Sequence, residues 1–143
     1  MARMVGLNHV ALEVGDVDEA VEFYGRIFEL ELRGRMRGMA FLDMGDQFLA
    51  LSHADEPNAG GDAHIGLVVD DRALVRRTLQ DAGIEIEPSR GLHFRDPWGN
   101  LIEVVQYSEV QFTKAPAVLG GMGLKGLGKS EKAQAELREK GLL

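Results

Sequence analysis

Residues 9–16 read HVALEVGD and residues 64–71 read HIGLVVDD, so two stretches of the chain begin with a histidine and continue almost identically. Each stretch alternates in polarity like a β-strand, and each is followed by a segment whose apolar residues have helical spacing. The 55 residues from His9 to His64 (64 − 9) match the length of one small βαβββ unit. One recurrence at this period predicts two copies of a single module, with the two histidines at equivalent places.

The two copies define the predicted organisation of the chain. The first is predicted over about residues 5–53 and the second over about residues 63–107, within one domain of residues 1–112. The second copy is expected to include a short strand at 84–87 and a hairpin around the turn at 96–100. We therefore predict an α+β fold in which two βαβββ modules form a curled mixed sheet around a concave cavity.

Composition narrows the classes of function. The chain has no cysteine, so a metal site would have to use nitrogen and oxygen ligands. Its formal net charge of −7 argues against binding to nucleic acid. No apolar run approaches the length of a membrane span, and the first strand is predicted to start too early for a signal peptide. These features predict a cytoplasmic protein with no membrane contact.

The last 31 residues differ in charge from the rest. Residues 1–112 contain 10 Arg and 20 acidic residues, whereas residues 113–143 contain 6 Lys or Arg, among them every lysine of the chain, and 3 acidic residues. We interpret residues 113–143 as a Gly-rich tether that ends in a short helix, with Ser130 as its N-cap and Ala133 and Leu137 on its apolar stripe. Residues 123–130 match the phosphate-loop pattern G-x-x-x-x-G-K-S, but they lack the buried strand that such a loop follows.

Three residues form a candidate metal site. Strand alternation places His9, His64 and Glu103 each on the less apolar face of its predicted strand, which is the face available to line a cavity. A strand histidine by itself is more often structural than a metal ligand. Two histidines at equivalent places of a repeat, with a carboxylate in a later strand, favour a site of two histidines and one carboxylate.

The sequence also resembles a known family. It is similar to the vicinal-oxygen-chelate superfamily, which contains glyoxalase I, extradiol ring-cleaving dioxygenases, methylmalonyl-CoA epimerase, fosfomycin-resistance transferases and bleomycin-binding proteins. The residues that carry the resemblance are HVALEVxD at 9–16, AxxFY at 20–24, HIGLVVDD at 64–71 and FRDPWGNLIE at 94–103. The resemblance implies that His9, His64 and Glu103 hold a divalent metal ion, with Fe²⁺ or Mn²⁺ favoured and Zn²⁺ or Ni²⁺ as alternatives.

Two departures from the family pattern bear on the reaction. Glyoxalase I has a fourth, glutamate ligand at the position that corresponds to Ala50, and a methyl group cannot bind a metal or abstract a proton. His93 lies ten residues before Glu103, where ring-cleaving dioxygenases place an acid/base tyrosine. His93 is therefore a candidate proton carrier, although a surface histidine is an equal alternative, and Tyr107 is a weaker candidate.

Two functions remain open at this point. The first is a divalent-metal-dependent enzyme of the glyoxalase or dioxygenase type that acts on a small oxygenated molecule, with oxygenation, isomerase, lyase and transfer chemistry all possible. The alternative is a metal-free protein that sequesters a small molecule such as an antibiotic, like the bleomycin-binding relatives. The resemblance also implies a homodimer, whose sites take residues from one chain or from both.

Overall fold

The computed structural model describes Met1, residues 7–57 and residues 63–143. The predicted start of the first repeat near residue 5 and part of the predicted linker lie outside the described residues. The elements, in chain order, are β1 (His9–Val14), α1 (Val17–Ile27), β2 (Leu32–Met36), β3 (Met39–Asp43), β4 (Phe48–His53), β5 (His64–Val69), α2 (Arg72–Asp81), β6 (Leu92–Arg95), β7 (Leu101–Gln106), a 3₁₀ turn (Tyr107–Glu109), α3 (Pro116–Gly121) and α4 (Glu131–Glu139).

The chain divides into two compact units. The first unit comprises Met1–Gly60 with Asp96–Asn100, and the second comprises Gly61–Arg95 with Leu101–Leu143. The first unit contains a four-stranded sheet in the order β1-β4-β3-β2, and the second contains a three-stranded sheet in the order β5-β7-β6. The predicted α+β class with two repeated modules is confirmed, and the strands form two small sheets. The boundary of a single domain at residue 112 stays a prediction.

The first unit follows the predicted module closely. Asp16 caps α1 by accepting a hydrogen bond from the backbone N–H of Glu19 at 2.9 Å. On β1 the residues on one side, Leu12 and Val14, are buried, whereas His9 on the other side is exposed. The helix packs its own apolar face into the unit, with Ala20, Phe23, Tyr24 and Ile27 buried.

The second unit departs from the predicted module in one strand. Residues 84–87 do not form a strand; in this segment only Ile86 makes an isolated antiparallel bridge, with Phe94. Gly83 ends the preceding helical turn with a φ of +67°, and residues 88–91 form a bend before β6, so the extended backbone between them is short. Strand β7 is therefore the central strand, parallel to β5 on one side and antiparallel to β6 on the other.

The basic tail is ordered by polar contacts within the second unit. Lys129 donates hydrogen bonds to the carbonyls of Tyr107, Val110 and Phe112, and its ammonium lies 3.4 Å from the centre of the Tyr107 ring. Partial burial lowers the pKa of Lys129, and the carbonyl oxygens offset the cost of desolvating its charge. Ser130 caps α4 as predicted, and Ala133 and Leu137 are buried. The predicted tether also contains helix α3, which the sequence did not predict.

No helix among the described residues is both long and apolar enough to cross a membrane.

A buried polar contact stabilises the first unit. The hydroxyl of Tyr24 donates a hydrogen bond of 3.0 Å to Oδ2 of Asp96, and the two residues are 0% and 4% exposed. Asp96 also accepts hydrogen bonds from the backbone N–H groups of Trp98 and Asn100 and from the Asn100 amide. Burial, together with the negative charge of Asp96 and the hydrogen bond to it, raises the pKa of Tyr24 far above its usual value.

Replacing Tyr24 by phenylalanine should lower the free energy of unfolding by about 1–2 kcal/mol at pH 7, because Asp96 loses one buried donor. Since the folded pKa is raised, the stabilisation is complete below the unfolded pKa of about 10 and declines as the pH rises above it. The wild type should therefore lose stability above pH 10 more steeply than Tyr24→Phe, by up to about 1.4 kcal/mol per pH unit. Urea denaturation of both proteins between pH 7 and pH 11 measures this difference, and parallel pH profiles would contradict it.

Replacing Lys129 by methionine should loosen the tail, because three backbone carbonyls lose a charged donor while most of the unbranched side chain is kept. We expect the local stability of α4 to fall by about 1–2 kcal/mol. Amide hydrogen exchange of residues 131–139 should then speed up by roughly tenfold, with little change in β7. Lys125→Met, at an exposed lysine of the same segment, is the control, and equal acceleration in both variants would refute the role given to Lys129.

Candidate metal centre

Three side chains that could hold a metal ion meet on one face of the three-stranded sheet. His93 on β6 is paired directly with Glu103 on β7, and Glu103 is paired with Gly66 on β5. His64 starts β5 two residues before Gly66, so alternation places it on the same face as Glu103. The opposite face carries Ile102, Val104, Leu92 and Phe94, which are fully or almost fully buried. The apolar face therefore fixes the orientation of the polar one.

The donor atoms of this cluster lie close together. His64, His93 and Glu103 each offer one ligand atom, and these atoms lie within 4.8 Å of one another. Nε2 of His64 is 3.3 Å from Oε2 of Glu103, and the rings of His64 and His93 are 5.8 Å apart in an edge-to-face arrangement. The side chains of His64 and Glu103 are 44% and 35% exposed, so the cluster is accessible from solvent. Two imidazole nitrogens and a carboxylate oxygen form a donor set that fits Fe²⁺, Mn²⁺ or Zn²⁺.

Ser89 orients the imidazole of His93. The Ser89 hydroxyl lies 2.7 Å from Nδ1 of His93 and donates its proton to the carbonyl of Gly91 at 3.4 Å. In the tautomer with the proton on Nδ1, His93 donates to the Ser89 hydroxyl oxygen, and the hydroxyl proton is directed at the Gly91 carbonyl. This assignment leaves Nε2 of His93 with the lone pair that a metal ion needs, as is usual for a histidine ligand held by an outer hydrogen bond.

Gly91 leaves room for the same imidazole. A Cβ atom at residue 91 would lie 2.9 Å from Cε1 of His93 and 3.6 Å from Oε1 of Glu103. A side chain there would therefore push His93 away from its present position. Neither Ser89 nor Gly91 was identified from the sequence, because nothing in their local pattern distinguishes them from ordinary loop residues.

His9 lies in the first unit and is not part of this cluster. It is exposed on β1, where its ring stacks on Phe48 with 4.6 Å between centroids and its Nδ1 lies 2.9 Å from the Asn8 side-chain oxygen. A hydrogen bond from Nδ1–H to Asn8 leaves Nε2 as the possible ligand atom. Ala50 is paired with Ala11 on the same sheet and offers only a methyl group. The assignment of His9 as a ligand stays a prediction.

Tyr107 and His53 have other contacts. Strand β7 ends at Gln106, so Tyr107 does not extend the Glu103 face as the sequence suggested; it begins the 3₁₀ turn and is 6% exposed. Its ring packs edge-on against Phe112, and Lys129 covers it. His53 contacts the carbonyl of Gly15 and the carboxylate of Asp55, which agrees with the structural role expected for it.

Comparison with known proteins finds relatives that are named as transferases. The chain is similar to the glutathione transferase FosA of Serratia marcescens, with 29% identity over 110 residues that cover 68% of this chain and 78% of FosA. It is also similar to the metallothiol transferase FosB of Shouchella clausii, with 28% identity over 114 residues, 69% of this chain and 78% of FosB.

The fold has close counterparts among solved structures. The lactoylglutathione lyase from Agrobacterium tumefaciens matches with a TM-score of 0.60 and 25% identity, over 74% of this chain and 96% of that protein. This likeness confirms the glyoxalase-like fold. The family model of the Glyoxalase/Bleomycin resistance protein/Dioxygenase superfamily matches residues 6–104, which include His9, His64, His93 and Glu103. The chain therefore belongs to the Glyoxalase/Bleomycin resistance protein/Dioxygenase superfamily.

Proposed function

We propose that this protein is a divalent-metal-dependent enzyme that acts on a small oxygenated molecule, with the metal ion held at His64, His93 and Glu103. The observation that carries the proposal is the convergence of these three donors within 4.8 Å on one sheet face. The metal would supply a Lewis acid that polarises a substrate oxygen. The metallothiol transferase and lactoylglutathione lyase among the similar proteins favour transfer or lyase chemistry over oxygenation.

Each residue has a defined part in this proposal. His64 and Glu103 bind the metal from adjacent strands, and the pairing of the strands keeps their spacing. His93 provides the second nitrogen through Nε2, because Ser89 holds its other nitrogen. The sequence predicted His93 as a proton carrier instead, and that role stays a prediction. His9, which the family resemblance implies as a ligand, is proposed as a further donor at the same metal.

Purified without chelators or a histidine tag, the protein should contain about one transition-metal ion per site. His64→Ala and Glu103→Gln should each weaken metal binding by at least about 100-fold, since they remove ligands. Elemental analysis and direct metal titration measure the content and the affinity. His53→Ala is the matched control, because it removes a histidine outside the cluster and should leave the metal content unchanged.

A protein that stays empty after reconstitution with Fe²⁺, Mn²⁺, Zn²⁺ and Ni²⁺ would contradict the proposal. That result would favour the alternative of a metal-free protein that binds a small molecule. The identity of a bound metal would narrow the reaction, because iron favours oxygenation whereas nickel or zinc favours glyoxalase-like chemistry.

The third ligand can be assigned with three further variants. If His93 binds the metal, His93→Ala should weaken metal binding about as much as His64→Ala, and Ser89→Ala should weaken it by about tenfold by releasing Nδ1. The metal affinity of His9→Ala tests separately whether His9, the predicted ligand of the first repeat, also binds the metal. A His93→Ala protein with wild-type metal affinity would remove His93 from the ligand set.

The same variants test whether each site takes its ligands from one chain or from both chains of the predicted homodimer. If each site combines His9 of one chain with His64 of another, mixing His9→Ala with His64→Ala protein restores one complete site per mixed dimer. If each site lies within one chain, mixing restores none. Metal titration of the mixed sample distinguishes the two arrangements.

The cytoplasmic location expected from the sequence stays a prediction.

A further inference from the structure

A cleft in the second unit is lined by arginines that the proposed metal chemistry does not use. Its volume is about 530 Å³, and it lies between the start of α2, the start of β6 and the 3₁₀ turn after β7. A volume in this range is typical of sites for small organic molecules. The residues that line the cleft are Arg72, Ala73, Arg76, Arg77, Arg90, Gly91, Leu92, Gln106, Ser108 and Glu109.

The cleft has a strong positive charge in an acidic protein. Four of its residues are arginines and one is an acid, whereas the whole chain has a net charge of −7. Arg72 pairs with Glu109 at 2.9 Å. Within residues 7–57 and 63–143, no ion pair joins Arg76, Arg77 or Arg90 to a carboxylate. Three guanidinium groups are therefore available to an anion.

The arginines on one side of α2 repel one another. Positions 72, 73, 76 and 77 lie on one side of the helix, while Val75 and Leu79 are buried. Arg72 and Arg76 are four residues apart, so their charges repel, and no acidic residue of the helix separates them. The positive end of the helix itself is already balanced by the Asp71 carboxylate, which caps it. A bound anion relieves the repulsion, because it neutralises part of the positive charge of the arginines.

We propose that this cleft binds a small molecule that carries two or more adjacent phosphate groups. Guanidinium groups form paired hydrogen bonds with phosphate oxygens, and several of them around one cleft suit a ligand with more than one negative charge. A nucleic acid fits poorly, since the acidic remainder of the chain repels an extended polyanion. Two sources share this chemistry, namely inorganic pyrophosphate and a nucleoside diphosphate.

Calorimetric titration of the full chain with pyrophosphate and with ADP tests the site. We expect saturable binding of at least one of them, weakened about tenfold or more in Arg76→Gln/Arg90→Gln. Tighter binding of ADP than of pyrophosphate would assign a nucleotide, and equal affinities would assign the phosphate groups alone. The thermal midpoint of the double variant without ligand should be unchanged or higher, because repulsion between arginines is reduced.

Lys125→Gln/Lys132→Gln is the charge-matched control, since both lysines are exposed and lie outside the cleft. It should keep wild-type affinity. Glu103→Gln should also keep it, which separates this site from the metal centre. Absence of saturable binding at about 1 mM ligand, equal weakening in the lysine control, or loss of binding in Glu103→Gln would each overturn the proposal.

Discussion

The register of β7 is the constraint on which the candidate metal centre depends. This strand pairs with both of its neighbours, so a single alignment fixes His93 opposite Glu103 and Glu103 opposite Gly66. A shift of one residue would turn Glu103 toward the helix side and bring Ile102 or Val104 to the open side. Burial of those two residues makes such a shift costly, so the apolar core of the unit maintains the geometry of its polar face.

The turn between β6 and β7 maintains that register. Asp96 lies in it with both carboxylate oxygens engaged, and its N–H donates to the carbonyl of Asn100 at 3.0 Å. Gly99 adopts a φ of +90°, which a residue with a side chain rarely tolerates. A buried carboxylate is costly unless it is hydrogen-bonded, so the four donors around Asp96, one of them from Tyr24, stabilise one turn geometry over others.

The basic side chains of two segments of the second unit differ in their partners. Lys129 belongs to a sequence that matches a phosphate-loop pattern, yet its ammonium is engaged by three backbone carbonyls and by the ring of Tyr107. Arg76, Arg77 and Arg90 match no motif, yet they line a cleft. A short pattern fixes residue types but does not determine which partners the fold supplies, and these partners decide whether a cation is structural or available to a ligand.

The sequence by itself determined the repeated module, the helix caps at Asp16 and Ser130, and the orientation of His64 and Glu103, because strand alternation and capping depend on residues within a few positions. It could not determine that residues 84–87 make a single bridge, nor that β7 ends before Tyr107, because pairing depends on distant partners. Only the tertiary structure brought Ser89 and Gly91 against His93, and Arg90 beside the arginines of α2. Ser89 and Gly91 are only four and two residues from His93, but the irregular segment that contains them has no periodic pattern that predicts its conformation. Arg90 and α2 are more distant in the chain, and only packing brings them to one cleft.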